Sequence, residues 1–167
     1  MISEHPNNYS FTIDRYTRNQ YVKYIRQFRF THMITLLYRD PVQHHIAHKH
    51  IQYVTSRLRN LVLGKKSNKI LPCLVVFEEG LSRQIHVHIL VYIPDYFFAE
   101  KMTIEELRSR VQHIWESCAA STGRISETCP NGTSWFQRIS GDHVERYLTK
   151  ELWCRPDAIQ WDLSHLA

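Results

Sequence analysis

The run from Ile85 to Ile93 places two histidines one residue apart within an otherwise apolar segment rich in β-forming residues. Side chains alternate between the two faces of a β-strand, so His86 and His88 share one face and Val87 lies on the other. Two imidazoles on a largely buried face are costly to desolvate unless they have a partner. The run therefore predicts a sheet strand that carries a polar site, and a metal ion is the simplest partner.

A second β-like run, residues 74–78, is joined to the first by residues 79–83, whose composition is typical of a hairpin connection. Glu78 and His86 lie at equal distances along the sequence from Ser82. A hairpin centred on Ser82 therefore places Glu78 and His86 opposite each other, with both side chains on one face.

Glu78, His86 and His88 then form a set of one carboxylate and two imidazoles, and Glu79 faces away from it. Such a set leaves coordination positions open for a substrate phosphate, and it suits a divalent ion, Mg²⁺ or Mn²⁺. The alternative is a pair of partly exposed histidines that bind nothing.

The segment 141–153 has the pattern of a helix, with a tyrosine and a lysine three residues apart, Tyr147 and Lys150. Its apolar residues recur at four-residue spacing: Val144, Leu148 and Leu152. A tyrosine hydroxyl attacks a phosphodiester only when its surroundings help it to lose a proton, and a nearby ammonium group stabilises the phenolate. A pair of this kind on an arbitrary helix is usually a surface pair, so its interpretation depends on the histidine motif.

Three segments in this order resemble the motifs of HUH endonucleases: residues 28–36, then Glu78 with His86-Val87-His88, then Tyr147 to Lys150. Within that superfamily the chain is most similar to single-tyrosine replication initiators and relaxase-like nickases of plasmids, phages and mobile elements. Two-tyrosine members carry a further tyrosine four residues earlier, where this chain has His143. The resemblance implies an α+β fold, with a ferredoxin-like antiparallel sheet of about five strands, helices on one face and the active site on the other.

The resemblance also implies a reaction, the sequence-specific nicking and rejoining of single-stranded DNA through a covalent 5′-phosphotyrosine on Tyr147. Glu78, His86 and His88 would hold the Mg²⁺ or Mn²⁺ ion, and Lys150 would assist at the phosphate. The expected role is to initiate rolling-circle-type replication or mobilisation, at a specific origin or end sequence and with a separate or missing helicase. A single-tyrosine transposase and a non-catalytic DNA-binding relative are the alternatives.

Positive charge is concentrated in the first part of the chain. Residues 1–69 contain 12 Lys and Arg against 3 Asp and Glu, whereas residues 70–167 contain 9 against 13. Aromatic residues alternate with the cations between residues 16 and 29, a pattern typical of surfaces that bind a phosphate backbone and stack on bases. The predicted DNA-binding residues are Lys23, Arg26, Arg29 and Arg83.

The rest of the sequence predicts one endonuclease domain over residues 1–167. The four cysteines are scattered, and no apolar run is long enough to span a membrane, which favours a cytoplasmic protein without a membrane partner. The other expected elements are a strand at 9–13, a helical turn within 16–27, helices at 40–62 and 102–118, strands at 70–78, 84–93 and 133–139, and loops at 94–101 and 121–132.

Overall fold

The computed structural model describes residues 15–38, 40–79, 84–118, 123–124, 135–139 and 158–166. Its elements, in chain order, are α1 (Arg15–Ile25), β1 (His32–Tyr38), α2 (His44–Leu63), β2 (Cys73–Glu79), β3 (Ile85–Val91), α3 (Asp95–Glu100), α4 (Ile104–Cys118), β4 (Gly123–Arg124) and β5 (Phe136–Arg138). Helices surround an antiparallel sheet, so the fold class is α+β. None of the helices in the described part of the chain has the length and apolar character needed to cross a membrane.

The three long strands lie in the order β2–β3–β1, and each neighbouring pair is antiparallel. The short strands β4 and β5 both pair with β1, at opposite ends of it. The register of β2 against β3 aligns Glu78 with His86, which confirms the hairpin pairing predicted from the sequence. β1 begins at His32, four residues later than the motif at 28–36 indicated.

Helices α2 and α4 pack on one face of the sheet, here called the helix-packed face. The buried residues of α2 recur at helical spacing: Ala47, Ile51, Val54, Leu58 and Val62. α4 buries Leu107, Val111 and Trp115 against the same core. Ile46, which the sequence placed on the inner side of α2, is exposed instead, because the buried stripe begins one residue later.

The opposite face carries His86 and His88 and is here called the histidine face. Ile25 of α1 packs on it against Met33, Leu74 and Leu90. The expectation that helices lie on one face alone is therefore wrong. This end of the histidine face is apolar, and α1 removes it from water.

Three further boundaries differ from those predicted. α2 begins at His44 rather than at residue 40, and residues 95–100 form the short helix α3 within the segment expected to be a loop. Gly123 and Arg124 pair with β1, although the sequence indicated a loop there. The strand predicted at 9–13 and the helix predicted at 141–153 lie outside the described residues.

Residues 158–166, here called the edge segment, cover the outer edge of β2. Cys73 and His165 exchange two backbone hydrogen bonds of 2.8 Å, and the backbone N–H of Gln160 donates to the carbonyl of Val75 at 2.9 Å. An uncovered strand edge is a template for pairing with other chains. The edge segment satisfies these backbone groups within the chain.

Candidate active site on the histidine face

The centre of the histidine face is a buried pair of side chains from neighbouring strands. The Nε2 atom of His88 on β3 lies 2.9 Å from the Oε2 atom of Glu78 on β2. The two side chains are only 5% and 14% exposed. Glu78 is aligned with His86 in the register, so its carboxylate reaches diagonally along the sheet to the next histidine on that face.

Thr35 of β1 holds the other side of the His88 ring, with its Oγ1 3.1 Å from Nδ1. Thr35 is buried and pairs with His88 in the register. A hydroxyl group can donate or accept a hydrogen bond. It can therefore donate to Nδ1 while the Nε2–H donates to Glu78, and it can accept from an Nδ1–H when Nε2 is needed as a ligand.

His86 lies on the same face, two residues before His88 on β3, and is half-buried between Glu78 of β2 and Leu37 of β1 in the register. In the described part of the chain, however, no group of three or more His, Cys, Asp or Glu side chains is arranged to hold a metal ion. His88 and Glu78 are thus in place as a pair, and His86 is the adjacent residue of the predicted set.

The paired donor atoms suit a divalent cation. Mg²⁺ binds ligands at about 2.0–2.1 Å in near-octahedral geometry, which separates adjacent ligand atoms by about 3 Å. The 2.9 Å between the imidazole nitrogen and the carboxylate oxygen matches that separation. The Thr35 hydroxyl on Nδ1 is also the kind of outer contact that orients a metal-binding histidine.

A family model for replication-associated proteins of the ORF2 type matches residues 31–152. The chain belongs to this family. The matched range runs from the start of β1 past Lys150, so it includes every residue of the predicted metal set and the predicted nucleophile. Neither the curated proteins nor the solved structures contain a match to the chain.

In this replication-associated protein, the other acidic and histidine residues near the hairpin serve separate contacts. Glu79 faces away from the site, as predicted, and bonds to His44 of α2. His48, one turn further along α2, bonds to Asp162 at 2.5 Å. The two α2 histidines therefore contact different carboxylates and do not converge on one point.

The predicted DNA-binding residues that the structure describes are exposed: Lys23, Arg26 and Arg29. The guanidinium carbon of Arg29 lies 6.0 Å from the ring centroid of Tyr92, which follows β3. Arg83, Tyr147 and Lys150 lie outside the described residues, so their roles stay predictions.

Sequence reasoning did not single out Thr35, although the structure brings it to the His88 ring. The signal was present, because Thr35 is the only polar residue between Met33 and Leu37 and a lone hydroxyl in a buried strand needs a partner. The sequence also gave no reason to connect α1 with Trp161 of the edge segment, which contacts it.

Proposed function

We propose that this chain is a single-tyrosine HUH endonuclease that nicks and rejoins single-stranded DNA at a specific sequence. It would do so by metal-dependent transesterification through a 5′-phosphotyrosine. The reaction would initiate rolling-circle-type replication or mobilisation of a plasmid, phage or mobile element. In this proposal the sheet belongs to a ferredoxin-like domain whose histidine face holds the active site.

The observation that carries the proposal is the buried contact between His88 and Glu78, supported by Thr35. A carboxylate and an imidazole on a sheet face, with His86 beside them, are hard to explain as packing, because apolar residues would fill that space at lower cost. Membership of a replication-associated family supplies the biological setting in which such a site acts on DNA.

In the proposed step, the phenol oxygen of Tyr147 attacks the scissile phosphorus. A new bond forms between phosphorus and the tyrosine oxygen while the bond from phosphorus to the 3′ oxygen breaks. The phenol proton is passed on, and the leaving oxygen ends as a free 3′ hydroxyl. Because one phosphodiester replaces another, attack by a 3′ hydroxyl reverses the step and rejoins the strand.

Glu78, His86 and His88 would hold the divalent cation. When bound, that cation supplies Lewis-acid polarisation of the phosphate and orientation of the leaving oxygen. Lys150 is proposed to neutralise phosphate charge and to stabilise the phenolate of Tyr147. Thr35 is proposed as a positioning residue, since its hydroxyl fixes the ring of His88.

The nicking test mixes the protein with a pool of random single-stranded oligonucleotides and Mn²⁺ and resolves the products on a denaturing gel. With a 3′ label we expect a band shifted by the mass of the protein, and with a 5′ label a shortened free strand. Tyr147→Phe, His86→Ala and chelation should each abolish the adduct, whereas Lys150→Ala should slow its formation.

Tyr53→Phe is the matched control, because Tyr53 is an exposed tyrosine on α2 and should leave the adduct unchanged. An adduct that persists in Tyr147→Phe would exclude Tyr147 as the nucleophile. Specific DNA binding without any adduct or Mn²⁺ dependence would favour the non-catalytic relative.

Metal binding can be tested without DNA by titrating Mn²⁺ and following the electron paramagnetic resonance signal of the free ion. His88→Ala should remove the site. Thr35→Val should weaken binding by about 10- to 100-fold, because it frees the ring without removing a ligand. His44→Ala should bind Mn²⁺ as the unmodified chain does, since His44 bonds to Glu79 instead. Equal Mn²⁺ affinity in His88→Ala would contradict the assignment.

A further inference from the structure

Three aromatic side chains from distant parts of the sequence form an exposed surface beside the histidine face. Tyr16 and Tyr24 lie eight residues apart on α1, and Trp161 lies in the edge segment. Their exposed fractions are 73%, 44% and 42%, respectively. Together with Tyr21 they line an open hollow of about 390 Å³, here called the aromatic surface.

Ring contacts already arrange this surface. The Trp161 ring stacks on Tyr21 at a centroid distance of 6.1 Å and an interplanar angle of 27°, and Tyr24 lies 6.3 Å from it. Such distances are typical of favourable aromatic pairs. Large flat rings that remain this exposed in a pre-arranged group are suited to stacking on a flat partner, because they lose little side-chain entropy when it binds.

The turn that carries Trp161 is held from both sides of the sheet. The adjacent Asp162 bonds to His48 of α2, and this hydrogen bond lowers the pKa of the Asp162 carboxyl. Leu163 is buried in the core on the helix-packed face, and Ile159 is buried against α1. Trp161 is thus fixed in place while its ring stays accessible.

The charge around the aromatic surface is positive. Arg15, Lys23, Arg26 and Arg29 are exposed, and residues 15–38 contain no Asp or Glu. The carboxylate of Asp162, which follows Trp161 in the sequence, is bonded to His48. Exposed rings among cations match a partner that has flat apolar groups along a negatively charged backbone.

The aromatic surface also lies close to the candidate site. Ile25 of α1 packs against Leu90, which is two residues from His88 on the same face of β3. Two residues of a β-strand span about 7 Å, roughly the rise of one nucleotide in an extended strand. A strand stacked on α1 would therefore need only a few nucleotides to reach the pair of His88 and Glu78.

We propose that Tyr16, Tyr24 and Trp161 form a base-stacking platform that binds single-stranded DNA next to the nicking site. This inference rests on the proposed function for its choice of strand chemistry. It adds the location of the contact, and it makes Trp161, more than 130 residues away from α1 in sequence, a DNA-binding residue.

The test measures binding of the full chain to a fluorescein-labelled oligothymidylate of about 16 nucleotides by anisotropy, with chelator present so that no metal-dependent step occurs. Trp161→Ala and Tyr24→Ala should each weaken binding by about 5- to 100-fold, the effect of losing one stacked base. Trp161→Phe should restore part of the affinity. Tyr53→Ala, which removes an exposed ring with Arg57 over it on α2, is the matched control and should stay within about 2-fold.

Tryptophan fluorescence gives a second readout, because Trp115 and Trp135 are buried whereas Trp161 is exposed. Added oligothymidylate should quench the emission of the unmodified chain, and Trp161→Phe should lose that quenching. If Trp161→Ala fails to fold, Tyr16→Ala and Tyr24→Ala test the same surface on exposed side chains.

Unchanged affinity in all three alanine variants would overturn the inference, as would a chain that does not bind the single strand. A concentration-dependent dimer that Trp161→Ala dissolves without changing DNA affinity would overturn it too, since the surface would then bind a second copy. Adduct formation with binding indifferent to Trp161 would leave the proposed function and remove the platform. Trp161-dependent binding without any adduct would do the reverse.

Discussion

His32 shows how strongly burial affects a single titratable residue in this chain. It is 2% exposed, and its ring lies 5.2 Å and 5.6 Å from the ring centroids of Phe98 and Phe136. Burial, and then the positive charge of Arg138, lower the pKa of His32 to about 4, although Asp95 opposes this effect. The imidazole is therefore neutral in the folded chain at neutral pH.

This lowered pKa predicts a loss of stability in mild acid. The unfolded chain binds a proton at His32 below a pH of about 6.5, whereas the folded chain does so only near pH 4. The free energy of unfolding should therefore fall as the pH drops through that window, by on the order of 3 kcal/mol from this residue. Urea unfolding at several pH values should show a flatter slope for His32→Gln.

His45→Gln is the matched control, because His45 is exposed on α2 and its replacement should leave the pH slope unchanged. A His32→Gln chain with the same slope as the unmodified chain would contradict the assignment. The comparison uses slopes because a buried glutamine also lowers stability at every pH.

At the scale of elements, α4 begins with a reciprocal pair of hydrogen bonds. The backbone N–H of Glu106 donates to the Thr103 Oγ1 at 3.2 Å, and the backbone N–H of Thr103 donates to the Glu106 carboxylate at 2.8 Å. These contacts lower the pKa of Glu106. The sequence-based assignment of Thr103 as the cap of this helix is confirmed.

Thr103→Ala should lower the free energy of unfolding by about 1 kcal/mol, because it leaves the N–H of Glu106 without its acceptor. Ser117→Ala, near the other end of α4, should change it much less, since Ser117 only bonds back to the carbonyl of Ile114. Urea unfolding of both variants gives the comparison. Equal losses for the two would mean that the cap contributes nothing specific.

At the scale of the whole molecule, the edge segment joins the two layers that cover the sheet. Leu163 packs into the core on the helix-packed face and Ile159 into the cluster beneath α1. Between these anchors the backbone pairs with β2. One short segment therefore stabilises both cores and covers a strand edge.

Ending the chain after residue 157 should lower stability by roughly 3–6 kcal/mol, from the loss of two buried aliphatic side chains. It should also expose the edge of β2 and cause self-association. Thermal unfolding and light scattering would show both effects. His165→Ala, which keeps the backbone pairing and removes an exposed ring, should show neither. A truncated chain that remains monomeric and equally stable would refute this role.

Local sequence patterns were sufficient for the central hairpin and the two long helices. The spacing of Glu78 and His86 about Ser82 predicted their register, and helical periodicity predicted most of the buried faces of α2 and α4. α3 was missed because six residues are too few to establish a period. Ile46 was misplaced because one apolar residue beside a helical stripe fits the pattern nearly as well as its neighbour.

The sequence by itself determined which side chains share a face, because the alternation of a strand and the turn of a helix are fixed by neighbouring residues. Only the tertiary structure decided that Glu78 bonds to His88, that Thr35 holds the same ring, and that Trp161 meets α1. Those contacts join residues far apart in the chain. They depend on how strands and helices pack once their apolar faces are buried, which no local pattern encodes.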